Sequence, residues 1–368
     1  MITSKNSIIN IKTETDGTGL ICAECTKAIL DAKVKIFSPF GEEKAVALRT
    51  DGNRAVGDFV VSEPKLWNVG SPTLYRFTAE LRFDGEKERV SGKFGFRSLS
   101  TNGKQVCVNK TPIFVRGYIR GACAHEHLND ANLPEEEFYR KNIRQAKKFG
   151  FNMVRFHSTV PSETFFDVAD EEGILVHIEL RPPHDIYNNL EEMVTTGSAI
   201  VSEEFLTETV NKVYNHPSLA VYCIGNEIKK ASDETIRNIK QKIDELDGTR
   251  LFLDTCAWGE NGRPNIDIDV QHLSYYFPFG KHARMYDDTD NLLVIDNSED
   301  KPMRTEGKGA SISRTLHFSV PLIAHEVCHY TALRDFAGLK KKFIDCGTQL
   351  PWWVDEELKL IDEKGYSL

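Results

Sequence analysis

Two apolar runs of this chain each end in a glutamate. Ala220-Val221-Tyr222-Cys223-Ile224-Gly225-Asn226 leads to Glu227, and Pro321-Leu322-Ile323-Ala324-His325 leads to Glu326. Each run reads as a buried strand that delivers one carboxylate at its C-terminal end, the end where a (β/α)8 barrel keeps its chemistry. Two carboxylates are what acetal hydrolysis needs. The leaving oxygen must be protonated by a carboxyl of raised pKa, and an oxocarbenium-like transition state must be stabilised by an ionised one. At the tops of strands four and seven the two would face each other across the barrel mouth. In a retaining glycosidase they sit roughly 5–5.5 Å apart, and the charge of the first to ionise keeps the second protonated.

The elements that must hold this pair fall into two textures. Residues 1–100 read as short strands with turns at Asp16-Gly17, Asp51-Gly52-Asn53 and Asp84-Gly85. The strands are expected at 8–12, 20–23, 32–37, 45–48, 58–61, 74–83 and 89–96, and the spacing and alternation suggest an antiparallel β-sandwich of about seven strands. From 101 to 368 the pattern is that of an α/β barrel. A hairpin turning at Asn109-Lys110-Thr111-Pro112 leads into Ile113–Tyr118. Strands are then expected at 152–157, 174–180, 219–227, 251–255, 270–276 and 322–326. Helices are expected at 134–149, 162–172, 203–214, 234–246 and 331–343, the first with Phe138, Ile143, Ala146 and Phe149 on its buried face and the second capped by Ser162. Roughly forty-five residues separate strands six and seven, too many for a structureless loop. After Glu326 the sequence offers one helix, a break at Pro351-Trp352-Trp353 and a charged segment, with no eighth strand.

The bulk numbers set limits. The chain of 368 residues is 40% hydrophobic and 27% charged, enough for about two domains with ordinary cores. A net charge of −9 and a pI near 5.7 disfavour nucleic acid and anionic membrane as partners. No apolar run approaches the ~18 residues of a membrane span, and residues 1–6 carry no signal-peptide core. The compartment is not readable from this, and a homo-oligomer is compatible with it. Eight cysteines are scattered. Cys22 and Cys25 form a CxxC without a second pair, so the cysteines read as reduced thiols, with Cys223 and Cys328 as small buried fillers. No cofactor is required; a structural or activating divalent cation is allowed by the sequence but not indicated by it.

Several stretches together resemble glycoside hydrolase family 2, the family of β-galactosidases, β-glucuronidases and β-mannosidases. Pro64-Lys65-Leu66-Trp67 and Ser71-Pro72-Thr73-Leu74-Tyr75 look like a signature of that family's immunoglobulin-like domain, and Phe94-Gly95-Phe96-Arg97 like the exit from it. Val108–Pro112 and Val115-Arg116-Gly117 resemble the first barrel strand, and Asn152–His157 the second. Ile224-Gly225-Asn226-Glu227 matches the strand-four motif, and Ala324-His325-Glu326 resembles strand seven. The resemblance implies an immunoglobulin-like β-sandwich followed by a (β/α)8 TIM barrel, acting on an oligosaccharide or glycoside. It assigns Glu227 as acid/base and Glu326 as nucleophile. It also implies a chain cut at both ends, lacking the family's leading jelly roll and its eighth strand. His325 before the nucleophile departs from the better-known members, which leaves the sugar open.

Around this pair stand supporting candidates. Asn226 would hydrogen-bond a sugar 2-hydroxyl, or is a turn residue. Arg155 would pair with the nucleophile carboxylate, or forms a structural ion pair. His157 would contact sugar or position Glu326. Glu179 would bind sugar hydroxyls or be solvated. His272, with Tyr275 or Tyr276, could bind sugar and the nucleophile, and a one-residue shift decides which tyrosine faces inward. Trp258, Trp352 and Trp353 are stacking platforms or core residues. The expected activity is that of a retaining exo-β-glycosidase, leaning to a β-galactosidase-like neutral sugar, with β-glucuronidase, β-mannosidase or arabinofuranosidase as alternatives. Two other classes compete. His125-Glu126-His127 would suit a metal-dependent amidohydrolase, but strand four has no lysine and strand five no histidine. The other is an inactive or sugar-binding fragment.

Overall fold

The computed structural model describes residues 7–121, 133–180, 202–228, 232–256, 264–271, 301–305, 312–316, 319–325 and 335–365. The chain divides into two compact units, residues 1–326 and 327–368.

The first unit opens with eight strands: β1 (Ser7–Thr13), β2 (Thr18–Cys25), β3 (Asp31–Phe37), β4 (Glu43–Ala47), β5 (Arg49–Asp51), β6 (Arg54–Val60), β7 (Tyr75–Arg82) and β8 (Lys87–Phe94). They form two antiparallel sheets, ordered β1-β2-β6-β5 and β4-β3-β7-β8. The alternation along β3, with Ala32, Val34 and Ile36 buried between exposed lysines, turns one face of each sheet into a shared core. The strand expected at 45–48 is two. The chain leaves one sheet after Ala47, joins the other at Arg49 and turns back through Gly52 at φ 59.

A meander of β9 (Leu99–Asn102), β10 (Gln105–Val108) and β11 (Thr111–Ile113) follows. Asn109 and Lys110 between its last two strands both have positive φ, 52 and 63, as a tight twisted hairpin requires. The first barrel strand, β12 (Gly117–Arg120), therefore begins later than the expected Ile113–Tyr118 run. Among the described residues it is the first strand of a parallel sheet that continues through β13 (Met153–Phe156), β14 (Leu175–Glu179), β15 (Leu219–Asn226) and β16 (Leu251–Cys256). Helices α1 (Glu135–Lys148), α2 (Glu163–Glu172), α3 (Glu203–Val213) and α4 (Asp233–Asp247) alternate with the strands. Ser162, Ser202 and Ser232 cap the last three, each accepting the N–H three residues on. On α1 the buried residues are Tyr139 and Ile143, whereas Phe149, expected inside, is 74% exposed because the helix ends at Lys148. Farther on, β17 (Asp269–Gln271) pairs in parallel with β20 (Leu322–Ala324), and β18 (Lys301–Thr305) pairs antiparallel with β19 (Ile312–Leu316).

Side-chain parity sorts the strands. Val154, Val176, Ile178, Tyr222 and Phe252 pack outward against the helices. Met153, Leu175, Val221, Cys223, Leu251 and Leu253 belong to a second cluster together with Trp67, Val106 and Val108. Trp67 is fully buried, and its indole N–H donates to the Asp170 carbonyl at 2.8 Å. Arg97 is buried too, donating to the carbonyls of Pro217, Leu219 and Thr249 at 2.6, 2.7 and 3.1 Å. Gly173, at φ 70, has room for no side chain, because a Cβ there would lie 2.7 Å from the Val69 carbonyl.

The second unit holds α5 (Phe336–Asp345) and α6 (Trp352–Glu363) around Phe336, Val354 and Ile361. The break read around Pro351 separates the two helices, and Pro351 is also the N-cap residue from which α6 starts at Trp352. Trp353 packs edge-on against Phe336, and Trp352 is 78% exposed.

Candidate active site

The strand ends of the parallel sheet bring several expected residues together. Arg155, on β13, is 2% exposed. Its Nε donates to Glu179 Oε1 at 2.7 Å and its terminal nitrogen to Asn226 Oδ1 at 2.6 Å. Glu179 closes β14 with no exposure, so it is not the solvated carboxylate the sequence allowed. Its second oxygen accepts the Ser158 N–H at 2.6 Å, and Ser158 reaches that position with φ 55. Burial pushes the Glu179 carboxyl up, but the Arg155 guanidinium, His177 and hydrogen bonds from Cys256 and Ser158 outweigh it and hold it below the usual carboxylate range. Glu179 and Arg155 are thus a buried ion pair whose guanidinium also fixes the Asn226 carboxamide, aiming its oxygen inward.

Glu227 follows directly. It is half-buried and adopts φ 51, a left-handed backbone that costs a non-glycine residue about 1 kcal/mol or more. Its N–H is tied to the Cys256 carbonyl at 2.9 Å, and the next N–H to Thr255 Oγ1 at 2.8 Å. The peptide is thereby turned off the sheet at the end of β15, with neighbours on β16 enforcing the turn. His157 lies after β13 with its Nδ1 2.9 Å from Ser158 Oγ.

His325, after β20, is buried, and its ring lies 5.3 Å from that of His177. His177 projects from β14 beside Glu179, where burial and Arg155 push its imidazole down to about 3 against the pull of Glu179. Cys223 and Cys256, from β15 and β16, complete the surroundings. Their sulfurs are 3.8 Å apart, and Cys256 Sγ is 3.7 Å from His177 Nε2. The sequence singled out neither His177 nor Cys256, because they stand on different strands and no local spacing links them. Glu326, His272, Tyr275, Tyr276, Trp258, Cys328 and the His125-Glu126-His127 stretch lie outside the described residues.

Comparison with known proteins agrees with this architecture. Residues 2–97 match the model for glycosyl hydrolases family 2, and residues 99–308 match that family's TIM barrel domain. A β-galactosidase of Vibrio vulnificus strain YJ016 is 24% identical over 324 residues, covering 82% of this chain and 28% of the relative. A putative β-glucuronidase of Formosa agariphila is 28% identical over 178 residues, covering 46% of this chain and 20% of the relative. The chain thus spans about a quarter of the length of the curated relatives it matches. Among solved structures, the Parabacteroides merdae β-glucuronidase superposes with a TM-score of 0.58 at 18% identity, covering 74% of this chain and 35% of that one. The FMN-binding β-glucuronidase of Facaelibacterium prausnitzii L2-6 gives 0.59 at 21%, covering 78% and 46%. These two likenesses establish the fold: an immunoglobulin-like sandwich followed by a TIM barrel.

Proposed function

Because the chain belongs to glycosyl hydrolases family 2, we propose that it carries the catalytic centre of a retaining exo-β-glycosidase. The observation that carries this reading is the placement of Glu227. It stands at the C-terminal end of β15, turned off the sheet by a left-handed backbone, directly after an Asn226 fixed by the Arg155–Glu179 pair. In this proposal Glu326 attacks the anomeric carbon while Glu227 protonates the leaving oxygen. Glu227 then takes the proton of the incoming water, whose oxygen displaces Glu326 and restores the original anomeric configuration. With Oδ1 engaged by Arg155, Asn226 has its amide hydrogens to offer a sugar 2-hydroxyl, a contact that strengthens in the transition state.

A β-galactosidase-like neutral sugar is the favoured substrate. The relatives that match over the greatest share of the chain among those described carry that name. β-Glucuronides are the second reading, supported by the Formosa agariphila relative. The family match stands against the amidohydrolase alternative.

The roles of the two glutamates separate by azide rescue on the nitrophenyl β-glycoside that the chain cleaves best. Glu227→Ala should hydrolyse an activated substrate slowly until azide is added, and then give the β-glycosyl azide. Glu326→Gly should give the α-glycosyl azide. Swapped products would reverse the assignment. No turnover of any glycoside by the folded wild-type chain would favour the sugar-binding or inactive fragment.

A further inference from the structure

His177, Glu179, Cys223 and Cys256 come from three adjacent strands, are all buried, and offer ligand atoms that lie within 4.8 Å of one another. Both cysteines are free thiols. We propose that these four side chains form a binding site for one tetrahedral divalent ion of the zinc class, set at the C-terminal ends of β14, β15 and β16. The inference is independent of whether the chain cleaves glycosides.

Geometry is the first argument. Zn–S bonds near 2.3 Å and Zn–N bonds near 2.0 Å, at tetrahedral angles, put two sulfurs about 3.8 Å apart and a sulfur and a nitrogen about 3.6 Å apart. The observed separations are 3.8 Å for Cys223 Sγ to Cys256 Sγ and 3.7 Å for Cys256 Sγ to His177 Nε2. Two of the six donor separations thus already match a shared ion, and all four donors lie within 4.8 Å of one another, so side-chain adjustment of about 1 Å or less would complete the site. Position is set by the sheet itself: Glu179 pairs in register with Cys223, and Asn226 with Cys256.

The donor set is the second argument. Two sulfurs, an imidazole and a carboxylate select zinc-class ions over magnesium or calcium, which prefer oxygen ligands. Glu179 Oε1 lies 2.7 Å from two guanidinium nitrogens of Arg155, Oε2 accepts the Ser158 N–H, and the Cys256 thiol donates to the same carboxylate, a donor that ionisation of the thiol on metal binding would remove. Arg155 and Ser158 then orient the ligand from behind, as partners of metal ligands commonly do. Charge also balances. The incoming ion brings two positive charges and two thiol protons leave to solvent, so the buried cluster keeps its net charge and the Glu179–Arg155 pair stays matched. Without an ion, the Cys223 thiol donates to the Gly225 carbonyl at 3.2 Å, a contact that binding would replace.

Full burial means the ion would enter as the chain folds. The test refolds the full chain with one equivalent of Co²⁺, a coloured probe of zinc sites. The expected result is one cobalt per chain, with a thiolate-to-cobalt charge-transfer band and the intense visible bands of tetrahedral coordination, both bleached by Zn²⁺. Cys223→Ser and Cys256→Ser should each weaken the charge-transfer band by about half or more and together abolish it, His177→Asn should weaken binding by at least about tenfold, and Cys22→Ser and Cys107→Ser should leave it intact. A second measurement needs no variant: Zn²⁺ present during refolding should shield Cys223 and Cys256 from alkylation under mild unfolding, as mapped by peptide mass spectrometry. A chain folded by circular dichroism that shows no charge-transfer band would overturn the proposal. So would a band that survives both serine substitutions, or shielding confined to other cysteines.

Discussion

At the scale of single residues, Arg155 joins two groups with different tasks. It neutralises Glu179 in a fully buried site, and it holds Asn226 by the oxygen of its carboxamide. Asn226 is thereby positioned to donate rather than accept. Asn226→Ala is accordingly expected to lower kcat/KM on a good β-glycoside by about 10²–10³-fold, the cost of losing a hydrogen bond to the 2-hydroxyl that strengthens in the transition state and is worth several kcal/mol. On the matching 2-deoxy glycoside, which has no hydroxyl to receive that donor, the loss should be several-fold at most. Equal losses on both substrates would mean that the amide serves the fold and not the sugar. Residues such as Asn226, Glu227 and Arg155 were legible in the sequence because each sits in a short run with a recognisable order. Cys256 and His177 were not, since only the pairing of β14, β15 and β16 brings them within contact. Glu179 was legible as a strand-end carboxylate but not as a buried one, because its partner lies on another strand.

At the scale of elements, the helices that return the chain between strands are anchored by buried charges. Asp247, the last residue of α4, accepts from Tyr222 Oη on β15 at 2.9 Å and pairs with Arg250 at 2.8 Å. Burial pushes its carboxyl up, but Arg250, the Thr249 and Tyr222 hydroxyls and Arg97 outweigh this and hold it below its ordinary value. A carboxyl held low by the fold contributes stability above its unfolded pKa, near ~3.9, and that contribution is lost as pH falls through the folded value. Asp247→Asn should therefore cost about 3–5 kcal/mol at neutral pH, because Arg250 is left buried without its counter-charge. The gap should shrink as pH falls below about 4. Urea midpoints measured across that range check the prediction, and a gap that stays constant into acid would refute it. The strand–helix alternation itself was readable from periodicity and from the serine caps. Two boundaries were not. The transfer between sheets at Leu48 has no local signature, and Pro351 is equally suited to ending a segment or starting a helix.

At the scale of the molecule, the sandwich and the barrel within residues 1–326 share a polar seam, with Trp67 bound to Asp170 and Arg97 to three barrel carbonyls. The same cluster that holds Trp67 holds the residues that begin the barrel strands, so the sandwich braces the end of the sheet opposite the glutamate. This explains why the motifs at Leu66-Trp67 and Phe96-Arg97 were informative: they are the points where one fold grips the other. The central claim is that Glu227 and Glu326 divide the work of a double displacement, and covalent trapping tests it most directly. A 2-fluoro β-glycoside with a good leaving group slows breakdown of the glycosyl-enzyme, because the fluorine destabilises the oxocarbenium-like transition state. Mass spectrometry of the digested chain should then find one sugar, on the peptide that contains Glu326 and on that glutamate. A sugar on Glu227 or Glu179, or turnover of the unfluorinated glycoside with inversion at the anomeric carbon, would contradict the account.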